Sequence, residues 1–142
     1  MPLPTTYNYY SHASGIGSVG QYQMSGRPFM TGSNITGSGT NNGEVCITFP
    51  TVTKALTIIN RSTGSCIYVH FDSRANADII KNHHYMSLPN MDDSYGFDIR
   101  CTRVYTSMSS SAENGTFELH AELTGIDATD MHALTGSGIN SL

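Results

Sequence analysis

Tryptophan is absent from these 142 residues, and only 13% of them are charged. The first absence removes the side chain that most often stacks on sugar rings. The second is about half the roughly 25% usual in soluble domains, and it leaves a neutral surface of Gly, Ser, Thr and Asn. Weakly charged surfaces repel one another little, which suits a protein that packs against many copies or a large partner. Cations are few as well: Arg27, Lys54, Arg61, Arg74, Lys81, Arg100 and Arg103 are scattered along a chain of net charge -4. A surface that tracks phosphates needs concentrated cations, so direct nucleic-acid binding is disfavoured.

No apolar run approaches the roughly 18 residues of a membrane span. Residues 1–30 lack the basic start and apolar stretch of a secretion signal, so the expectation is a soluble protein made in the cytoplasm. Cysteine is sparse too. Cys46, Cys66 and Cys101 have no CxxC spacing and fall in apolar strand-like runs, which predicts buried, reduced thiols.

What the chain does have falls into three parts. Residues 1–44 place Gly or Ser every few positions and show no helical period. They carry Tyr7, Tyr9, Tyr10, Tyr22, Phe29 and Met30, anchors that a spacer would not need. The expectation is an extended arm that gains order by laying those side chains on another surface, with a short strand near Val19–Met24.

From residue 45 to 126 the texture becomes alternation of period two, the mark of strands with one buried face. Val45, Ile47 and Phe49 alternate up to Pro50. Residues 55–60 and 66–71 flank a five-residue connection suited to a hairpin. Strand character returns at 84–88 and again where Tyr95, Phe97, Ile99 and Cys101 form an inward row, with a bulge before Val104. It is clearest where Phe117, Leu119, Ala121 and Leu123 alternate with Glu118, His120 and Glu122. In the last part, 127–142, only Asp127–Leu134 reads as helical, capped by Asp127, before a glycine-rich tail. Six or seven short strands predict an all-β fold: an antiparallel sandwich, jelly roll or small barrel.

Candidate chemistry is thin. Gly15-Ile-Gly-Ser-Val-Gly20 matches GxGxxG, but no strand precedes it and no helix follows, so no cofactor is assigned. Neighbours on a strand point to opposite faces, so His83 and His84 cannot chelate together, and His70 meets His120 only if their strands pair. Asn90 to Asp93 offers clustered oxygen donors without the glycine and closing Glu of an EF-hand loop. Glu118, His120 and Glu122 resemble an acid–base set, yet a solvated strand face explains them more simply. Asn34, Asn60 and Asn114 head glycosylation-type triplets that, without a signal segment, read as chance matches. No catalytic, metal or cofactor residue is assigned; the partner-binding candidates are Tyr7, Tyr9, Tyr10, Tyr22 and Phe29, because rigid aromatic anchors dominate interface energetics.

Three stretches together carry a family likeness: residues 17–33 (GSVGQYQMSGRPFMTGS), residues 49–60 with 67–71 (FPTVTKALTIIN, IYVHF), and residues 118–126 with 134–138 (ELHAELTGI, LTGSG). The set resembles small virion structural proteins of tailed bacteriophages, of the kind that decorate or cement capsids. That resemblance implies a β-sandwich body on the outer face of a capsid shell in the virion, assembled in the host cytoplasm. It also implies arms reaching across neighbouring major capsid protein subunits, and homo-oligomers, commonly trimers and sometimes dimers. A tail, neck or fibre-attachment protein of the virion is the nearest alternative, and a carbohydrate-binding sandwich a more distant one.

Overall fold

The computed structural model describes residues 27–132 and 134. Among the described residues eight strands form: β1 (Arg27–Thr36), β2 (Val45–Thr48), β3 (Thr51–Asn60), β4 (Ile67–His70), β5 (Met86–Leu88), β6 (Ser94–Phe97), β7 (Arg103–Met108) and β8 (Asn114–Asp127). One helical turn, α1 (Asp78–Lys81), lies between β4 and β5.

The pairing follows a simple rule. β1 pairs with β8, β2 with β7, β3 with β6 and β4 with β5, every pair antiparallel. The chain is therefore one long ribbon folded back at the β4–β5 connection. Wrapping that ribbon brings β8 beside β3 and β7 beside β4. The result is two four-stranded sheets, β1-β8-β3-β6 (sheet A) and β2-β7-β4-β5 (sheet B), with the strand order of a jelly roll.

Alternation decides which side chains fill the space between the sheets. Leu56, Ile58, Phe117, Leu119, Ala121 and Leu123 from sheet A meet Ile47, Ile67, Val69, Leu88, Val104 and Met108 from sheet B, all buried. Each large aliphatic or aromatic side chain so placed contributes about 1.5–3 kcal/mol.

Several expectations change. Residues 55–60 and 66–71 do not make a hairpin: β3 belongs to sheet A and β4 to sheet B, so residues 61–66 cross from one sheet to the other. The inward rows of β3 and β4 then face each other across the core, which hairpin partners in one sheet could not do. Residues 27–36, read as part of the arm, form β1, paired over ten positions with β8. Its Gly, Ser, Thr and Asn give almost no alternation, and the backbone pairing with β8 holds it in place. The helix expected over 127–134 is a three-residue 3-10 turn, Ala128–Asp130, with Asp127 as its cap, accepting from the Thr129 amide. Leu134 packs against the core.

Candidate functional site

Among the described residues, two surfaces gather polar and reactive side chains, the outer faces of the two sheets. On sheet B, Tyr68 and His70 of β4 and Arg103, Tyr105 and Ser107 of β7 point away from the core, because Val69, Val104 and Met108 take the inward positions. The connection from β4 to β5 folds back over this face. Tyr85 stacks on Tyr68 with ring centroids 4.1 Å apart, and the Arg74 guanidinium lies 5.8 Å from the Tyr68 ring.

Beneath this strap sits a closed polar network. Nδ1 of His70 lies 2.7 Å from the Asp72 carbonyl oxygen, which can only accept, so that nitrogen carries the proton. Nε2 is then the acceptor for the Ser107 hydroxyl at 2.9 Å. Arg74 Nη1 donates to the Ser107 oxygen at 3.2 Å and to the Met108 carbonyl at 2.6 Å. Glu44 anchors the same strap, accepting from the Ser73 hydroxyl at 2.8 Å and the Arg74 amide at 2.6 Å. Burial, with Arg74 nearby, pulls the His70 imidazole below its usual value despite the Asp72 carbonyl.

A serine hydroxyl on an imidazole whose other nitrogen is held by an acceptor is the arrangement of an activated nucleophile. Here Ser107 is fully buried and its oxygen is already engaged by Arg74. Substrate has no approach, so the network acts as a clamp that fastens residues 72–85 to sheet B. The sequence hid it because Glu44, the His70–Arg74 stretch and Ser107 lie on three separated segments.

Sheet A presents the more open surface. Met30 and Gly32 of β1, Glu118, His120 and Glu122 of β8, and Ala55, Thr57 and Ile59 of β3 share its outer face. A shallow groove of about 470 Å³ runs between Met30, Gly32, Ile59, Glu118 and His120. Met30 is 74% exposed, an unusual position for a methionine. A polar hollow of about 490 Å³ follows, lined by Asn34, Arg61, Ser62, Thr63, Asn114 and Thr116 among others. Arg61 reaches Asp92 at 2.6 Å and Glu118 at 3.8 Å.

The sequence candidates fall out as follows. His70 and His120 lie on outer faces of opposite sheets and do not meet. His83 is exposed while His84 is buried with neither ring nitrogen bonded. Among the described residues no group of three or more His, Cys, Asp or Glu converges as a metal site. The Asn90–Asp93 carboxylates are engaged by the chain itself, Asp93 accepting from the Asn90 amide at 2.8 Å and Asp92 from Arg61. Asn60, heading one of the glycosylation-type triplets, is fully buried and structural. Its amide donates to the carbonyls of Ser65 (2.8 Å) and Leu88 (2.7 Å), and its oxygen accepts from the Ser62 amide at 2.7 Å.

Of the aromatic candidates, Phe29 is half-buried and meets Phe49 edge-on at 5.2 Å. Tyr7, Tyr9, Tyr10 and Tyr22, like the Gly15–Gly20 motif, lie outside the described residues. The cysteines divide: Cys101 is buried, Cys66 intermediate and Cys46 exposed, and all three are free. Cys46 takes an outward position because Val45 and Ile47 on either side of it point inward.

No family model matches the sequence, and no curated protein matches it. Among solved structures, the Yersinia pseudotuberculosis-derived mitogen aligns with 78% of this chain and 98% of its own, at 15% identity and a TM-score of 0.38. A likeness at that level fixes neither family nor activity.

Proposed function

We propose that this chain is a virion structural protein that decorates the outer capsid surface and stabilises contacts between shell subunits. One observation carries the reading furthest. The reactive-looking groups of sheet B are bonded to one another beneath the strap, while the outer face of sheet A stands open, with the apolar Met30 projecting beside Glu118 and His120. Such a division suits a protein that works by adhesion. The family likeness in residues 17–33, 49–60 with 67–71, and 118–126 with 134–138 supplies the kind of partner, a major capsid protein. Repeated modest contacts on a multi-copy shell add through effective concentration, so no single contact has to be strong.

The aromatic segment before β1 is the part of the chain assigned to neighbouring shell subunits. Its test is deletion of residues 2–26, which stops short of Arg27 and leaves β1 whole. Purified shells are mixed with the full-length and shortened chains, and the bound fraction is measured by co-sedimentation. The reading expects the full chain to saturate shells at many copies and the shortened chain to bind at least tenfold more weakly. Equal binding by both would remove the arm's role. No binding by either would remove the capsid reading.

A further inference from the structure

Four strands end the two sheets. Three are short, with β6 and β2 of four residues and β5 of three. Brevity is one way proteins keep sheet edges from pairing with other chains. The fourth, β1, runs for ten residues with no break in register, and from Pro28 to Thr36 it carries no charged side chain. Among the described residues no strand lies on its far side.

Which backbone groups that edge exposes follows from the ladder. In antiparallel pairing, alternate residues direct both their N–H and C=O to the same neighbour. The Gly37 amide bonds the Glu113 carbonyl at 3.0 Å, one step beyond the Thr36–Asn114 pair. Odd-numbered residues of β1 therefore face β8. An independent bond agrees, since the Arg61 amide reaches Thr116 at 2.9 Å and so even positions of β8 face β3, leaving its odd positions for β1. Pro28, Met30, Gly32, Asn34 and Thr36 thus point their backbone groups outward.

We propose that a second copy of this chain pairs with this edge, β1 against β1 in antiparallel register about a two-fold axis through Gly32. In that register Gly32 faces Gly32 of the second copy, Met30 faces Asn34, and Pro28 faces Thr36. The hydrogen-bond accounting then closes. Gly32 exchanges both bonds with its mate, Met30 and Asn34 exchange both once the Met30 amide displaces the exposed Ser33 hydroxyl from the Asn34 carbonyl (3.1 Å), and the Thr36 amide reaches the Pro28 carbonyl. Pro28 has no N–H to give, and the carbonyl opposite it, that of Thr36, is already taken by the Gly39 amide at 2.9 Å. The missing donor meets the spent acceptor. Absence of charge between Pro28 and Thr36 means that the two strands bring no like charges together, as self-pairing requires. The two copies of sheet A would form one continuous eight-stranded sheet, with both Met30 side chains on one face. This inference does not depend on the capsid reading.

Sedimentation of the full-length chain over a concentration series tests it, with Met30→Pro and Met30→Gln. Proline removes only an outward N–H, as Pro28 already does two residues earlier, while glutamine removes the thioether but keeps the N–H. The wild type and Met30→Gln are expected to pass from the mass of one chain to that of two, and Met30→Pro to remain single. Concentration-dependent protection of the Gly32 and Asn34 amides against hydrogen exchange in the wild type gives a readout that needs no variant. A wild type that stays single or forms trimers overturns the proposal. So does a dimer that survives Met30→Pro, or exchange at Gly32 that ignores concentration.

Discussion

Ser107 gives its hydroxyl hydrogen to Nε2 of His70 across 2.9 Å, and the bond runs in this direction only while the imidazole is neutral. The other nitrogen already holds a proton for the Asp72 carbonyl. A second proton would place an imidazolium beside Arg74, under a strap and out of water.

Acid should therefore loosen the clamp. His70 titrates at about its ordinary 6.5 in the unfolded chain and lower in the folded one. Between those two values the unfolded chain binds the proton and the folded chain does not, so stability falls as pH drops below about 6.5 and levels off beneath the folded value. Urea midpoints from about pH 7.5 down to about 5.5 should decline in the wild type and decline less in His70→Asn, which starts about 2 kcal/mol lower through lost buried bonds. Parallel declines in the two proteins would remove His70 from the account.

Breaking the Asn60 hub should cost more than any surface change. Its side chain closes three buried bonds, and the Asn60 backbone also receives the Asp92 amide at 2.6 Å and donates to the Asp93 carbonyl at 2.8 Å. Asn60→Ala strands two carbonyls and an amide at about 1–3 kcal/mol each, before any relaxation. A loss of at least about 3 kcal/mol by chemical denaturation is expected; a loss under about 1 kcal/mol would mean that water enters and replaces the amide.

How much of this was readable in advance depends on where the physical signal lay. The inward rows of β8 and β2 were legible because each strand has a solvated face that forces alternation. β1 was not, since Thr31, Gly32, Ser33 and Asn34 have weak preferences of their own and acquire strand geometry from β8. The assignment of β3 and β4 to different sheets was equally hidden, because alternation is identical for hairpin partners and for strands facing across a core. Of the surface, the outward row Glu118, His120 and Glu122 could be read from period two alone. The His70 clamp could not, because its members meet only after β4 and β7 pair.

The Arg61–Asp92 contact, short at 2.6 Å, should contribute little. Its two side chains remain 43% and 62% exposed, so solvent screens the attraction and ordering two long side chains offsets the rest. Asp92 also adopts a left-handed backbone with φ of 66°, which asparagine tolerates. Asp92→Asn is expected to change unfolding free energy by less than about 1 kcal/mol; a larger loss would show the pair to be part of the 89–93 turn's framework.

Thiol chemistry should report the strand faces directly. Cys46 stands exposed on β2, Cys66 is half-covered with its thiol raised chiefly by burial, and Cys101 is buried in the core with its thiol pushed up to about 11. Exposure ranks the three as Cys46, Cys66, Cys101, and since the thiolate is the reactive form, the raised thiols of Cys66 and Cys101 are slowed further. Iodoacetamide on the native protein, followed by peptide mapping, should label Cys46 first, Cys66 slowly, and Cys101 only after denaturant is added. Cys101 also bonds Thr53 at 3.3 Å, so its labelling rate in native buffer measures opening of the link between β3 and residues 99–101. Early modification of Cys101, at a rate near that of Cys46, would contradict the placement of its side chain in the core between the sheets.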